Sequence, residues 1–229
     1  KIYLYDKKYI KFKSNQINRK VLKLYNIPKN FNFEIVIIAT TSEVRHSLLK
    51  QIIINNKIKR YLIEKIAFIS KEQYLSALKI KNIYINYPRP LMDSYINLKS
   101  YLEKKSIKSI TIYGSKWNML SNTLHFMNLF YFLTNEILTD IYLTKIHKRK
   151  YNSKRYGFSE IKGLIIFKNK KNQILKLVDS LIYKENIIKI FYNKKIIRIN
   201  ENLSKISFYD DQNNFLEQRK FPIEFQSNL

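Results

Sequence analysis

The sequence predicts an α/β protein in which a partial, doubly wound parallel-sheet domain is followed by an α+β domain with an open, mainly antiparallel sheet. Strand and helix patterns alternate up to about residue 88, as they do in doubly wound sheets. A continuous β-branched run at 35–38 is typical of a parallel strand that is covered on both faces. After Pro90, several strand candidates alternate apolar and polar residues, which is typical of an antiparallel sheet with one wet face.

The first half contains six predicted segments of regular structure. Residues 2–5 form an apolar strand candidate that ends in Asp6, and residues 34–41 predict a fully buried strand followed by a polar turn. Helical spacing of apolar residues then covers 43–56. A strand at 60–63, a helix at 71–78 and a strand at 82–87 follow, and Pro88 and Pro90 end the last strand.

The second half begins with a helix over about 91–104 and a strand at 109–113, followed by a helix that carries His125. Further strands are predicted at 161–168, 173–179, 187–192 and 204–209. The Lys- and Asn-rich stretches 145–155 and 168–173 are short enough to be loops or turns. We therefore place a domain boundary after residue 88, giving domains 1–88 and 89–229.

The composition bounds the class of protein. The chain has 229 residues, of which 45% are hydrophobic, so it can bury a sizeable core. It contains no apolar run of about 18 residues and does not begin like a signal peptide, so we expect a cytoplasmic protein with no membrane partner. There is no Cys, and His46, His125 and His147 lack metal-ligand spacing, so we expect no metal site.

The net charge of +26 suggests a nucleic-acid partner, and a contiguous basic face would support that alternative. However, only eight of the 43 basic residues are Arg, the side chain that recognises bases and phosphates as a bidentate fork. The Lys residues are also dispersed among Ile, Asn and Tyr, as an AT-rich genome would encode them. We therefore expect a solvated Lys-rich surface and no nucleic-acid partner.

Five segments, met in order along the chain, carry a resemblance to a known family. The first is a strand followed by Ala-Thr, a polar turn and a His that opens a helix; the second is a strand that ends in Glu-Lys. The third reads Ile-Asn-Tyr-Pro-Arg, the fourth is a helix containing Trp-Asn and a His, and the fifth reads Phe-Gln-Ser-Asn-Leu. The segments are 36–46, 61–65, 85–89, 117–129 and 225–229. Together they resemble the Gfo/Idh/MocA family of NAD(P)-dependent oxidoreductases.

The resemblance implies a partial dinucleotide-binding (Rossmann) domain at 1–88 and a substrate and oligomerisation domain at 89–229. It implies oxidation or reduction of a sugar or nucleotide-sugar hydroxyl with NAD or NADP, in bacterial surface-polysaccharide biosynthesis. It also implies a homo-oligomer formed through the open sheet. In the alternative, the chain keeps the fold but acts without catalysis, in binding or assembly.

The resemblance also implies a set of site residues. His125 corresponds to the proton acceptor and Lys65 to the group that holds the reacting oxygen. A Lys at the carboxyl end of a parallel strand points into the crevice where such sheets bind ligands, which independently favours Lys65. The implied cofactor-binding residues are Asp6, Ala39, Thr40, Thr41, His46, Glu64 and Lys65, and the implied substrate-binding residues are Asn86, Arg89, Trp117 and Asn122.

The chain departs from the family pattern in three places. It contains no Gly-x-Gly-x-x-Gly motif, so we expect a β-α unit upstream and a helix downstream. Residues 1–6 align with the family's second strand, and we expect Asp6 at the carboxyl end of a parallel strand that neighbours the 34–39 strand. In that alignment Asp6 bonds the adenosine ribose, which weakly favours NAD over NADP. Ile66 replaces the Pro after Glu-Lys, where the resemblance suggests a cis peptide bond. Ser121 replaces an Asp, so Asn122 or water would have to serve in its place.

Overall fold

The computed structural model describes residues 2–5, 21–147, 150–153 and 158–223. Two compact units, 1–86 and 87–229, divide the chain. Asp6 and the segment 225–229 lie outside the described residues. The assignment of a cofactor domain to 1–88 and a substrate domain to 89–229 stays a prediction.

The first unit is an α/β unit built on parallel strands. Its strands are β1 (Ile2–Tyr5), β2 (Val21–Leu24), β3 (Asn32–Ile38), β4 (Lys57–Ile63) and β5 (Ile83–Ile85), and its helices are α1 (Ser42–Asn55) and α2 (Lys71–Ala77). Strands β3, β4 and β5 form one parallel sheet in sequence order, and β1 and β2 form a parallel pair of their own. The predicted α/β class with a partial parallel sheet is confirmed.

Only one face of the β3–β4–β5 sheet is covered by α1 and α2. Ile38 and Ile63 pack there against Leu49 of α1. On the other face, Ile35 is 49% exposed and Ile37 is 62% exposed, so the expectation that β3 is fully buried is wrong. Successive right-handed crossovers that progress in one direction put both helices on the same side of a sheet, which explains the uncovered face.

Strand β1 pairs with a different strand from the one expected. It was expected beside the 34–39 strand, but it pairs with β2, which the sequence did not signal. Fifteen residues separate β1 from β2, enough for a parallel crossover. Side chains still connect β1 to the start of β3, because the ring of Tyr3 lies 5.6 Å from that of Phe31 and 5.9 Å from that of Phe33.

The second unit is an α+β unit around an open sheet. Its helices are a short 3-10 helix (Arg89–Leu91), α3 (Asp93–Leu102) and α4 (Met119–Thr134). Its strands are β6 (Ile107–Gly114), β7 (Asp140–Ile146), β8 (Tyr151–Asn152), β9 (Ser159–Glu160), β10 (Gly163–Lys168), β11 (Ile174–Asp179), β12 (Ile187–Tyr192), β13 (Lys195–Asn200), β14 (Lys205–Tyr209) and β15 (Phe215–Lys220). The large sheet runs β15-β14-β13-β12-β6-β11-β10-β7, and only β6 and β11 pair in parallel. The predicted open, mainly antiparallel sheet is confirmed.

The main core of this unit lies between the inner face of the sheet and helices α3 and α4. Burial alternates along the central strands, so Ile110 and Ile112 of β6 are buried while Thr111 and Tyr113 are partly exposed. Leu129 of α4 is fully buried in the same core. Within the described ranges, the helices are too short or too polar to cross a membrane.

The outer face of the sheet carries a row of positive charges. Direct cross-strand partners place Lys176, Thr111, Lys189 and Arg198 side by side on β11, β6, β12 and β13. We call Lys176, Lys189 and Arg198 the cationic row. Burial and then the charges of Arg198 and Lys176 lower the pKa of Lys189. The row is the kind of basic face that the nucleic-acid alternative predicts, although it comprises only three cations.

Candidate functional site

The carboxyl ends of β3, β4 and β5 bring together several of the predicted site residues. Ile38, Ile63 and Ile85 lie level with one another, so Ala39, Glu64 and Asn86 follow at the same edge. The backbone N–H of Glu64 donates to the Ile38 carbonyl at 3.0 Å and that of Asn86 to the Ile63 carbonyl at 2.8 Å. The Asn86 amide also donates to the Glu64 carboxylate at 2.5 Å, which ties the ends of β4 and β5 together.

Lys65 is the second residue after β4, and a buried arginine bonds the carbonyl groups on both sides of it. Arg45 of α1 is only 1% exposed, and its Nη1 donates to the carbonyl of Glu64 at 2.6 Å and to that of Ile66. The peptide bond between Lys65 and Ile66 is cis. Sequence reasoning missed Arg45. A signal for it exists, because Arg45 precedes Leu49 by one helical turn and so lies on the apolar face of α1.

The turn after β3 and the start of α1 carry the other predicted cofactor residues. Ala39, Thr40 and Thr41 are exposed, and Thr41 makes no side-chain cap to α1. The ring of His46 packs edge-on against that of Phe68 at 5.7 Å. Burial, and then the charge of Lys50, lowers the pKa of His46. Its buried Nε2 makes no hydrogen bond to any described residue.

The second unit contains a cavity of about 350 Å³ that brings together the other predicted residues. Its walls come from the segment after Tyr87, the loop before α4, α4 itself and the ends of β12 and β13. The lining includes the predicted residues Arg89, Trp117, Asn122 and His125, together with Asn186, Glu201 and Asn202. The last three were not anticipated, because nothing in their local sequence marks them as facing α4.

The loop between β6 and α4 is fixed by its own hydrogen bonds. The indole Nε1 of Trp117 donates to the Val178 carbonyl at 3.0 Å, and the Asn122 amide donates to the Trp117 carbonyl at 2.6 Å. At Gly114, which ends β6, a Cβ atom would overlap the side chain of Asn186. Glycine is therefore required there for this cavity wall to approach closely.

His125 lies in the middle of α4 and contributes to the cavity. Its ring is partly exposed and meets the ring of Tyr87 edge to face at 5.5 Å. An imidazole in this position can take or give a proton at the cavity surface near neutral pH.

Arg89 is held by the partly buried carboxylate of Glu201. Its Nε and Nη2 donate to the two oxygens of Glu201 at 2.8 and 2.7 Å, and the Tyr95 hydroxyl also donates to Glu201. The guanidinium lies 4.7 Å from the centre of the Phe126 ring. Burial opposes the charge of Arg89, but Glu201 and Tyr95 outweigh burial, so its pKa is raised. Arg89 thus joins the end of β13 to the start of the unit, and its predicted contact with substrate stays a prediction.

Two buried carboxylates from other strands hold the start of α4. Helix α4 has no side-chain cap of its own and no acidic residue in its first turn. Glu160 of β9 accepts from the N–H of Leu120 at 2.9 Å, from that of Ser121 at 3.3 Å and from the Ser121 hydroxyl. Asp179 accepts from the N–H of Lys116 at 3.0 Å. Burial, and as a lesser cause the charge of Glu160, raises the pKa of Asp179.

The predicted meeting of Lys65 and His125 at one reacting hydroxyl joins residues of different units. It therefore stays a prediction.

The fold is shared with several solved structures. Gal80p from Saccharomyces cerevisiae, in a super-repressor mutant form, aligns with a TM-score of 0.62 at 13% identity, over 82% of this chain and 61% of that one. UDP-N-acetylglucosamine 3-dehydrogenase from Acidithiobacillus ferrooxidans aligns with a TM-score of 0.57 at 12% identity, over 82% and 64%. The dehydrogenase MviM from Clostridium difficile aligns with a TM-score of 0.52 at 16% identity, over 83% and 62%. These structures are of the Gfo/Idh/MocA type, and the chain shares their fold.

The likeness is one of fold, since the identities are low. The chain spans about three fifths of the length of these Gfo/Idh/MocA-type structures. No protein-family model matches the sequence, and no curated protein matches it by sequence.

Proposed function

We propose that the chain acts as an NAD(P)-dependent oxidoreductase on a sugar or nucleotide-sugar hydroxyl, in bacterial surface-polysaccharide biosynthesis. The observation that carries the proposal is His125 in a cavity of about 350 Å³ that is also lined by three Asn amides and the Arg89–Glu201 ion pair. A solved structure of the same fold is named as a UDP-N-acetylglucosamine 3-dehydrogenase, which supports this substrate class.

Each of the two catalytic candidates has a defined chemical task. Oxidation of an alcohol removes a hydride from carbon and a proton from oxygen, and a bound nicotinamide accepts the hydride. His125 takes the hydroxyl proton as general base, and it returns the proton in the reverse direction. The ammonium group of Lys65 holds the reacting oxygen and stabilises the negative charge that develops on it.

The residues at the strand ends of the first unit fit the nicotinamide side of a dinucleotide. Ala39, Thr40 and Thr41 are exposed after β3, and the buried Nε2 of His46 has no hydrogen-bond partner among the described residues. Glu64 and Lys65 follow β4 at the same edge. The glycines of the chain are Gly114, Gly157 and Gly163, so no Gly-rich turn in the first unit can cradle a pyrophosphate. The weak preference for NAD rests on Asp6, which lies outside the described residues.

The cavity suits a neutral, hydroxyl-rich group. The charge of Arg89 is balanced by Glu201, so the wall presents no uncompensated guanidinium. Asn122, Asn186 and Asn202 contribute amides, which can both donate to and accept from sugar hydroxyls.

A non-catalytic role is the second candidate. Gal80p from Kluyveromyces lactis, a transcriptional regulator, aligns with a TM-score of 0.59 at 14% identity, over 83% of this chain and 61% of that one. Ser121 and Ile66 are departures from the family pattern that also favour this alternative.

An activity assay distinguishes the two candidates. The chain has no glycine in its first unit and is expected to bind NAD weakly, so the assay uses the chain joined at its start to a β-α unit with Gly-x-Gly-x-x-Gly. This protein is incubated with NAD or NADP and a panel of nucleotide sugars, and formation of reduced nicotinamide is followed by absorbance. We expect turnover, with a loss of about 10²- to 10⁴-fold in His125→Asn and in Lys65→Met. The matched controls are His147→Asn and Lys57→Met. His147 is exposed outside the cavity, and Lys57 lies at the amino end of β4. Binding of a nucleotide sugar without turnover in any combination would instead favour the non-catalytic role.

A further inference from the structure

The carboxylate of Glu160 is buried at the start of α4, one turn before the helix reaches His125. Glu160 is only 4% exposed and comes from β9, 39 residues away from Ser121. Its bonds to two backbone N–H groups of α4 would be enough to cap the helix. It also accepts the hydroxyl hydrogen of Ser121, which capping does not require.

This third hydrogen bond fixes the direction of the Ser121 hydroxyl. A hydroxyl has a single hydrogen, so Ser121 Oγ can only accept from every other neighbour once it donates to Glu160. Ser121 and His125 are four residues apart on α4 and therefore share one face of the helix. The face that carries the imidazole thus presents an oriented oxygen with a carboxylate behind it.

No described residue forms an ion pair with Glu160. The nearby buried amine of Lys162 lies 4.3 Å from the centre of the Tyr151 ring. The negative charge contacts the start of α4 and Ser121, and it adds to burial in raising the pKa of Asp179.

We propose that Glu160 is a positioning residue that acts through Ser121. It holds Ser121 Oγ as an acceptor on the face of His125, and so stabilises the protonated imidazole that forms when His125 takes a proton. This inference rests on the proposed function for the role of His125 as base. It explains how a chain with serine at position 121 can still place a carboxylate behind its histidine.

Other ionisable groups also face His125 or the elements around it. Within the second unit these are Tyr87, which touches its ring, Arg89 and Glu201, which line the same cavity, and Asp179 beside the loop before α4. The substitutions below leave Tyr87, Arg89 and Glu201 unchanged, so a change in the behaviour of His125 reports on Glu160 and Ser121.

The test follows the ring signals of His125 by NMR as a function of pH, in the full chain. The sequence has three histidines, so the signals can be assigned by single substitutions. In Glu160→Gln we expect the His125 titration midpoint to fall by at least about half a pH unit, because a nearby negative charge favours the imidazolium. Ser121→Ala, which leaves both backbone bonds of Glu160 in place, is expected to lower the midpoint in the same direction.

Rescue and control variants distinguish a positioning role of Glu160 from a general effect on the stability of the protein. Adding Ser121→Asp to Glu160→Gln returns a carboxylate to the helix face and should restore the midpoint. Asp179→Asn removes a similarly buried carboxylate that does not contact Ser121, and should shift the midpoint less. If the midpoint is unchanged in both Glu160→Gln and Ser121→Ala, the inference is overturned, whatever the thermal melts show.

The NMR result is separate from the sugar assay. A shift in the His125 titration midpoint without turnover would contradict the proposed function but support the effect of Glu160 on His125. Turnover with an unchanged midpoint would support the proposed function and contradict the positioning role of Glu160.

Discussion

At the scale of single residues, Arg45 shows how a side chain to which the family resemblance assigned no role can fix a motif residue. Its guanidinium donates to the carbonyls on both sides of Lys65. These carbonyls lie at the end of β4, so the position of Lys65 depends on a helix that precedes the strand.

Removing this contact should destabilise the first unit. We expect Arg45→Met to lower the free energy of unfolding by about 1–3 kcal/mol, because buried carbonyls lose their donor. Urea denaturation measures the loss, and Arg60→Met is the control because Arg60 is exposed on β4. Equal losses in the two variants would show that the Arg45 contacts contribute nothing specific.

Local motifs pointed to Lys65, Asn122 and His125 as candidate site residues, but they did not point to the residues that hold the candidate site together. Arg89 was anticipated, whereas its partner Glu201 lies 112 residues further along the chain. Similarly, Glu160, which bonds Ser121, lies 39 residues away from it along the chain. A local pattern carries no information about which distant strand supplies a carboxylate, so such partners emerge only from the fold.

At the scale of elements, the helices and most strands of the large sheet were predicted, but the internal strand β13 and the edge strands β7 and β15 were not. The helices at 43–56 and 71–78 were predicted from apolar spacing and are observed as α1 and α2. Strand β15 was missed because its Glu-Gln-Arg-Lys stretch is polar and mostly exposed at the sheet edge. Strand β3 was placed correctly, but its continuous apolar run was taken to mean two covered faces, and Ile37 shows that one face is open.

The cationic row predicts a specific dependence of stability on pH. The pKa of Lys189 is lowered in the folded state, so the unfolded chain binds its proton more tightly. The row is therefore destabilising at neutral pH. Stability should recover as pH rises from the folded pKa of Lys189 towards its ordinary value.

Lys189→Met should remove this effect while keeping the aliphatic stem. We expect the free energy of unfolding at neutral pH to rise by about 0.2–1 kcal/mol, the usual range for a cross-strand pair, and its alkaline increase to shrink. The control is Lys195→Met, whose exposed side chain lies on β13 opposite Tyr192. A denaturation series over alkaline pH would contradict the prediction if Lys189→Met and Lys195→Met followed the same curve.

At the scale of the whole molecule, the lack of glycine in the first unit means that the chain can keep its fold and still bind NAD weakly. Backbone N–H groups of a Gly-rich turn supply most contacts to a pyrophosphate. We expect that joining a β-α unit with Gly-x-Gly-x-x-Gly to the start of this chain raises its affinity for NAD at least about a hundredfold, or about 2.7 kcal/mol. Calorimetric titration of both proteins measures this, and equal affinities would mean that NAD does not bind at the carboxyl ends of β3 and β4.

The cationic row also decides how two copies of the open sheet could meet. A twofold contact, outer face against outer face, would set Lys176, Lys189 and Arg198 of one copy beside the same three residues of the other. Dissolved ions shorten the reach of this repulsion to about 10 Å at 0.1 M and about 3 Å at 1 M. Pairing through this face would therefore tighten as salt is added, whereas contacts between opposite charges loosen. The ionic strength of the solution would then determine whether two copies pair through this face.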